Sequence, residues 1–241
     1  MRTGIVLAIV FLTTLIAGVI AFTPLSFVMR QSGIAERGVG WQQARGSIWQ
    51  GQVTGLSWRG EPIGAVNLES NPLRLLSGGA SHRVTWVSPQ GRGDADIKAS
   101  RKSIVAGNAN LNMPVTRRTG IDPTFSQLGA SIRLSGGQLR FSSERCDSAS
   151  GTVTSDIARL AAASMGRDWP ILSGPLTCED GELEALMSGA AADGTRLELR
   201  LNRATGLRVT LENADDEVKA NLALAGFQSE NGKLVYERPL N

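Results

Sequence analysis

The residues with the greatest chemical potential are few and scattered. His82 is the only histidine, and no GxSxG, HExxH or phosphate-loop motif accompanies it. Between Gly and Ser residues and beside Arg83, it reads as a solvated loop residue rather than a general base. Carboxylates gather as Glu179, Asp180 and Glu182, and again as Asp215, Asp216 and Glu217. Neither group has the alternating oxygen-ligand spacing and terminal Glu of a calcium loop, so solvated turns are the expectation. Glycoside or peptidoglycan hydrolysis would need paired carboxylates in a cleft, which the sequence does not announce. Arg92, Arg101 and Lys102 could face anionic headgroups but fit a solvated strand edge better. Cys146 and Cys178 are the only cysteines, with no CxxC or Cys/His cluster to hold zinc. An exported pair would form one disulfide; the alternative is two unrelated buried thiols. In the chain-entropy account, closing a loop of about 33 residues stabilises a fold by roughly 3.5 kcal/mol. Such a bridge would enclose a helix and the segment Trp169–Thr177, and would pin that helix to a sheet rather than merely join neighbouring strands.

Four tryptophans in the first half, Trp41, Trp49, Trp58 and Trp86, lie in glycine-punctuated segments. Large rings there either fill a core or form a face that docks a partner.

These residues are carried by a chain of 241 residues with 25 Lys+Arg against 22 Asp+Glu, a net charge of +3 and 41% hydrophobic residues. That balance excludes a disordered or multi-span membrane protein, and without a long basic run it gives no support to nucleic-acid binding. The uncharged run Ile5–Phe22, IVLAIVFLTTLIAGVIAF, is roughly 27 Å long as a helix, close to the ~30 Å hydrocarbon core, and Leu25–Met29 could extend it. A signal peptide with a site near Val19-Ile20-Ala21 is the rival. Because the run outlasts a typical signal core, an uncleaved anchor is preferred. The predicted organisation is a cytoplasmic stub at 1–4, a transmembrane anchor at 5–28, a polar glycine-rich linker at 29–40 and an exported β-rich domain at 41–241.

Short alternating runs dominate that domain: Ser47–Trp58, Ala65–Leu68, Arg83–Val87, Asp94–Ala99, Ser103–Met113, Ser131–Leu134, Gln138–Ser142, Glu182–Met187, Thr195–Leu201, Gly206–Leu211, Val218–Leu224 and Gly232–Tyr236. Gly, Asn and Asp turns between them predict an all-β, mainly antiparallel, twisted sheet. Two short helices are expected. One is Leu73–Leu76 after Asn71-Pro72. The other is Thr154–Met165, with Thr154 or Ser155 as N-cap, Asp156 in the first turn and Gly166 as the stop.

Trp41–Trp58, WQQARGSIWQGQVTGLSW, resembles the early signature of the type II secretion system protein N family, a G-[ST]-[IV]-W-x-G core after a short membrane anchor. Pro72-Leu73-Arg74-Leu75-Leu76 is similar to that family's proline-leucine segment. The likeness continues through Trp169-Pro170, Gly174-Pro175-Leu176-Thr177-Cys178 and Gly181-Glu182-Leu183, and departs at Arg117–Ser126. The resemblance implies a single-pass inner-membrane protein whose bulk lies in the periplasm, without enzymatic activity or cofactor. It would contact other inner-membrane and periplasmic secretion subunits, and membrane lipid through its N-terminal helix. It also implies that Cys178 pairs with an earlier cysteine, here Cys146. The alternative is a membrane-anchored lipid carrier of AsmA-like build. That would need a continuous apolar lining such as the period-two stripes Leu197-Leu199-Leu201, Val209-Leu211 and Leu222-Leu224.

Overall fold

Glycine-jointed alternation folds as antiparallel ladders in the computed structural model, which describes residues 7, 10–12, 14, 15, 18, 19, 22–70, 81–100, 102–115, 127–143, 145–202 and 204–239. The expected helix Leu73–Leu76, Arg101 and all of Arg117–Ser126 lie outside the described residues. The chain divides into two compact units, Met1–Pro89 with Asp96–Lys98, and Gln90–Ala95 with Ala99–Asn241.

In the first unit, helix α1 (Leu25–Gln31) precedes β1 (Val39–Gly40), β2 (Gln43–Gly46), β3 (Gln50–Trp58), β4 (Glu61–Ser70) and β5 (His82–Ser88). β1 and β2 share one edge of β3, pairing Val39 with Trp58 and Gln43 with Thr54. β3 turns into β4 through Arg59 and Gly60, both at positive φ, the geometry a tight two-residue hairpin requires. β4 and β5 pair from Ala65–Val87 to Ser70–His82.

Within the apolar run, the described residues Leu7, Val10, Phe11, Leu12, Leu15, Val19 and Phe22 are helical and exposed. The helix does not run on to Met29, as apolarity alone predicted. Thr23 is non-helical, and Pro24, extended at φ −67° and ψ 138°, is the N-cap position of a separate helix, α1. A proline ring disfavours helical geometry in the residue before it, so the break falls here. Among the described residues no helix is long and apolar enough to cross a membrane. The expected linker is also shorter, because α1 reaches Gln31 and β1 begins at Val39.

The second unit contains β6 (Gly91–Ala99, of which Asp96–Lys98 belongs to the first unit), β7 (Ser103–Pro114), β8 (Ser131–Ser142), β9 (Arg145–Ser155), α2 (Ile157–Ala163), β10 (Leu172–Glu179), β11 (Glu182–Ala190), β12 (Arg196–Asn202), β13 (Gly206–Glu212), α3 (Asp216–Leu224), β14 (Gln228–Glu230) and β15 (Lys233–Arg238). From β7 onward the order is β7-β8-β9-β10-β11-β12-β13-β15-β14. Leu197 faces Leu211, Leu199 faces Val209 and Leu201 faces Leu207, so one face of β12 and β13 is a leucine sheet. Ile157, Ala158 and Ala162 of α2 and Val218 and Leu222 of α3 belong with it to one core, which also takes in Trp169, Phe227 and Tyr236. Each large side chain removed from water contributes about 1.5–3 kcal/mol, which explains why this face is closed by helices.

The structure departs from the alternation pattern at several elements. Val218–Leu224 is part of helix α3, not a strand: Asp215 caps it by accepting from the Val218 N–H at 2.9 Å, and Val218 and Leu222, four apart, point inward while Leu224 is 90% exposed. Ser131–Leu134 and Gln138–Ser142 are one continuous strand. Helix α2 starts at Ile157 with Asp156, not Thr154 or Ser155, at the N-cap position. The Asp156 carboxylate instead accepts from the Ser131 N–H at 2.7 Å. β9 and β10 were not foreseen, because Ser, Thr and Gly give β9 no bulky alternation and Gly174-Pro175 interrupts β10.

Candidate functional site

The signature residues Gly46 to Gly51 form the tight connection between β2 and β3, and its structure is local. The Ser47 N–H donates to the Gln50 carbonyl at 2.9 Å, while the Ser47 hydroxyl accepts from the N–H groups of Trp49 and Gln50 at 3.3 and 3.2 Å. Serine or threonine can supply that acceptor, so the second motif position accommodates both. The tip then docks on the chain that follows the apolar run. Ile48 N–H donates to the Thr23 carbonyl at 3.3 Å and Pro24 bridges to Ser47. Leu25, 5% exposed, lies over Gly51, where an added Cβ would sit 2.6 Å from its Cδ2 and 2.7 Å from the Ser47 oxygen. The result is a clasp that ties the first sheet to residues 23–25. The alternation pattern did not reveal it; the signal was glycine at both ends of the turn together with Pro24.

The four tryptophans of the first half all lie in the first unit, and none is among its fully buried residues. Trp86 is half-buried and donates its indole N–H to the Ile63 carbonyl at 2.9 Å. The carbonyl of half-buried Trp49 accepts from the Ser70 N–H at 2.6 Å. Trp58 is 51% exposed, with the Arg59 guanidinium 5.3 Å from its ring centroid. Trp41 lines a groove of about 870 Å³ bounded by Leu56, Pro62, Val87 and Pro89. The core tryptophan is Trp169, 3% exposed in the second unit.

Cys146 and Cys178 are bonded, with Cα atoms 5.6 Å apart. The bridge joins neighbouring strands, β9 and β10, rather than pinning α2 to the sheet as the loop arithmetic suggested. The β9–β10 ladder runs only from Leu172–Ser155 to Pro175–Thr152. Proline has no N–H to continue it. Beyond that point the disulfide, and the Cys146 N–H donating to the Gly181 carbonyl at 2.7 Å, hold the strand ends together.

The charged candidates do not converge. His82 is at the start of β5, not in a loop, and its Nδ1 is hydrogen-bonded to the Ser70 hydroxyl. Glu179 faces Glu182 across the hairpin whose turn is Asp180-Gly181, both at positive φ. Arg92 and Lys102 flank opposite ends of β6, roughly 20 Å or more apart along an extended strand, so with Arg101 outside the described residues the basic triad is not assembled. Asp215, Asp216 and Glu217 are a helix N-terminus rather than a solvated turn. Sequence inspection missed their partner Arg167, whose guanidinium reaches Asp215 at 2.6 Å, Glu217 at 3.1 Å and Asp193 at 3.7 Å. The Val218 N–H, then Arg167, holds the Asp215 carboxyl below its usual range. The Thr195 N–H and hydroxyl, then Arg167, do the same for Asp193. Among the described residues, no group of three or more His, Cys, Asp or Glu side chains could hold a metal ion.

The stripes a lipid carrier would need are covered in the second unit. Leu197, Leu199, Leu207 and Leu211 belong to the closed core, the cavity they line is about 50 Å³, and Leu224 points away on α3. That is room for a few waters, not an alkyl chain.

Glycine-jointed antiparallel units with a docked turn, an inter-strand disulfide and ion pairs that tie loops together define a mainly antiparallel all-β protein. The family model of type II secretion system protein N matches residues 37–236, and the chain belongs to that family. It is therefore a component of the type II secretion machinery. No curated protein and no solved structure matches it.

Proposed function

We propose that the chain is a single-pass inner-membrane component of the type II secretion system that acts by protein–protein contact in moving folded proteins across the outer membrane. Residues 5–22 anchor it, and the β-rich remainder lies in the periplasm. The observation that carries this reading is the clasp. It binds the family's signature turn to Thr23-Pro24-Leu25, directly after the exposed apolar helical residues, so the first sheet has a fixed seat beside the anchor. A disulfide between the strands accords with an oxidising compartment. The half-buried and exposed tryptophans of the first unit, with the groove beside Trp41, offer amphipathic surface of the kind enriched at interfaces.

The test is photocrosslinking in cells from a photoreactive residue at position 58, with position 224 in the second unit as comparator. Adducts with inner-membrane secretion subunits are expected from position 58. Absence of such adducts, together with normal exoprotein secretion in a deletion strain, would overturn the reading.

A further inference from the structure

Helix α1 has one side spoken for and one side open. Leu25 is buried against Gly51, which fixes the orientation of the helix relative to the β2–β3 turn. At about 100° per residue, Phe27 and Arg30 fall roughly opposite Leu25 and share a face three residues apart. Their exposure agrees: Phe27 is 57% exposed and Arg30 is exposed, whereas Met29, on Leu25's side, is half-buried. An outward phenylalanine beside an outward arginine, immediately after a run whose Phe22 is 83% exposed, is the composition of an interfacial helix. Arg37, and Arg45 on β2, add exposed positive charge to the first unit, against Glu36 in the turn.

We propose that α1 is a docking surface for an anionic lipid bilayer. It lies along the headgroup layer of the leaflet where the apolar segment emerges, with Phe27 at the boundary of the acyl chains and the Arg30 guanidinium on lipid phosphate. The Thr23–Pro24 break separates α1 from the apolar helical residues before it, which lets the two segments take different directions at the surface. The clasp then sets the height of the first sheet above it. The inference rests on the anchor proposed above and adds to it a second, peripheral contact.

The test uses the full chain in nanodiscs of phosphatidylethanolamine and phosphatidylglycerol. Both native cysteines are in the disulfide, so a single introduced thiol takes a fluorophore selectively. Phe27→Cys, Leu12→Cys and Leu224→Cys are labelled and compared. The label at 27 is expected to be quenched by lipids brominated near the headgroup and shielded from aqueous iodide several-fold relative to 224. The label at 12 is expected to be quenched by lipids brominated deep in the chain. A label at 27 as open to iodide as that at 224, with 12 still quenched, overturns the α1 contact and leaves the anchor standing. Loss of quenching at 12 overturns the anchor itself. Adding Arg30→Glu to the labelled Phe27→Cys chain should release the label in phosphatidylglycerol discs several-fold more than in phosphatidylcholine discs. Equal behaviour in both overturns the guanidinium–phosphate contact.

Discussion

Leu25 Cδ2 occupies the space that a Cβ on Gly51 would need, the two being 2.6 Å apart. Because the Ser47 carbonyl oxygen closes the same space at 2.7 Å, Gly51→Ala cannot be absorbed by moving Leu25 alone. Overpacking of this kind costs about 1–3 kcal/mol. Gly51→Ala should therefore lower the urea midpoint of the first unit, followed by indole emission, to which four of the five tryptophans contribute from that unit. It should also speed protease cleavage between residues 32 and 38. An unchanged midpoint and cleavage rate would remove the clasp from the account.

The Cys146–Cys178 bond takes over where the β9–β10 ladder stops at Pro175. Losing a native disulfide typically costs about 2–5 kcal/mol. Reductant should lower the melting temperature of the wild-type chain, and the Cys146→Ala/Cys178→Ala chain should melt low whether or not reductant is present. Identical melting of wild type in both buffers would show that the strand ends hold without the bridge.

Much of this architecture could be read from residue order, for reasons visible in particular elements. Leu197, Leu199 and Leu201 alternate with Glu198 and Arg200, so β12 announced itself, as did β13 with Leu207, Val209 and Leu211. Val218–Leu224 misled because Val218, Ala220, Leu222 and Leu224 also alternate at period two. The helix is chosen by the Asp215 cap and by the spacing of four between its two buried residues. β9 was silent because its side chains are small. The tertiary pieces left no trace in the alternation pattern: Leu25 on Gly51, Ile48 on Thr23 and Arg167 between three carboxylates all join residues distant in sequence, and only the paired glycines of the turn and Pro24 hinted at the first two. Strand position fixed neither the partner of His82 nor the exposure of the first four tryptophans.

Arg167 joins the α2–β10 connection, the β11–β12 turn and the N-terminus of α3 through Asp193, Asp215 and Glu217. The carboxyls of Asp193 and Asp215 titrate lower in the folded chain than their ordinary value, so the stability they lend is full above the unfolded pKa of about 4 and is lost as pH falls through the lower folded value. Arg167→Met removes part of that lowering; the Thr195 and Val218 N–H bonds keep the rest. The variant should be less stable than wild type at neutral pH, and the difference should shrink below about pH 4. Acid titration of the urea midpoint for both chains checks this. A difference that stays constant down to strongly acidic pH would assign Arg167 a packing role alone.

Gly174 and Gly194 separate close approach from backbone preference. Gly174, in the late family motif, presses its backbone against the Leu186 carbonyl, and a Cβ there would lie inside that oxygen's van der Waals shell. The obstacle is backbone of the adjacent strand, so relief requires β10 and β11 to part next to the buried Met187 and Leu172. Gly194, in the β11–β12 turn at φ +89°, has nothing within 4 Å of the place an added methyl would take. Gly194→Ala should cost about 1–2 kcal/mol, the steric cost of a left-handed conformation. Gly174→Ala should cost about 3 kcal/mol or more, the upper end of overpacking, and reduce the yield of disulfide-bonded protein, since β10 carries Cys178. Denaturation midpoints and non-reducing electrophoresis of the two variants decide the ranking. A Gly174→Ala chain as stable as Gly194→Ala would mean that β10 and β11 are not held at this separation.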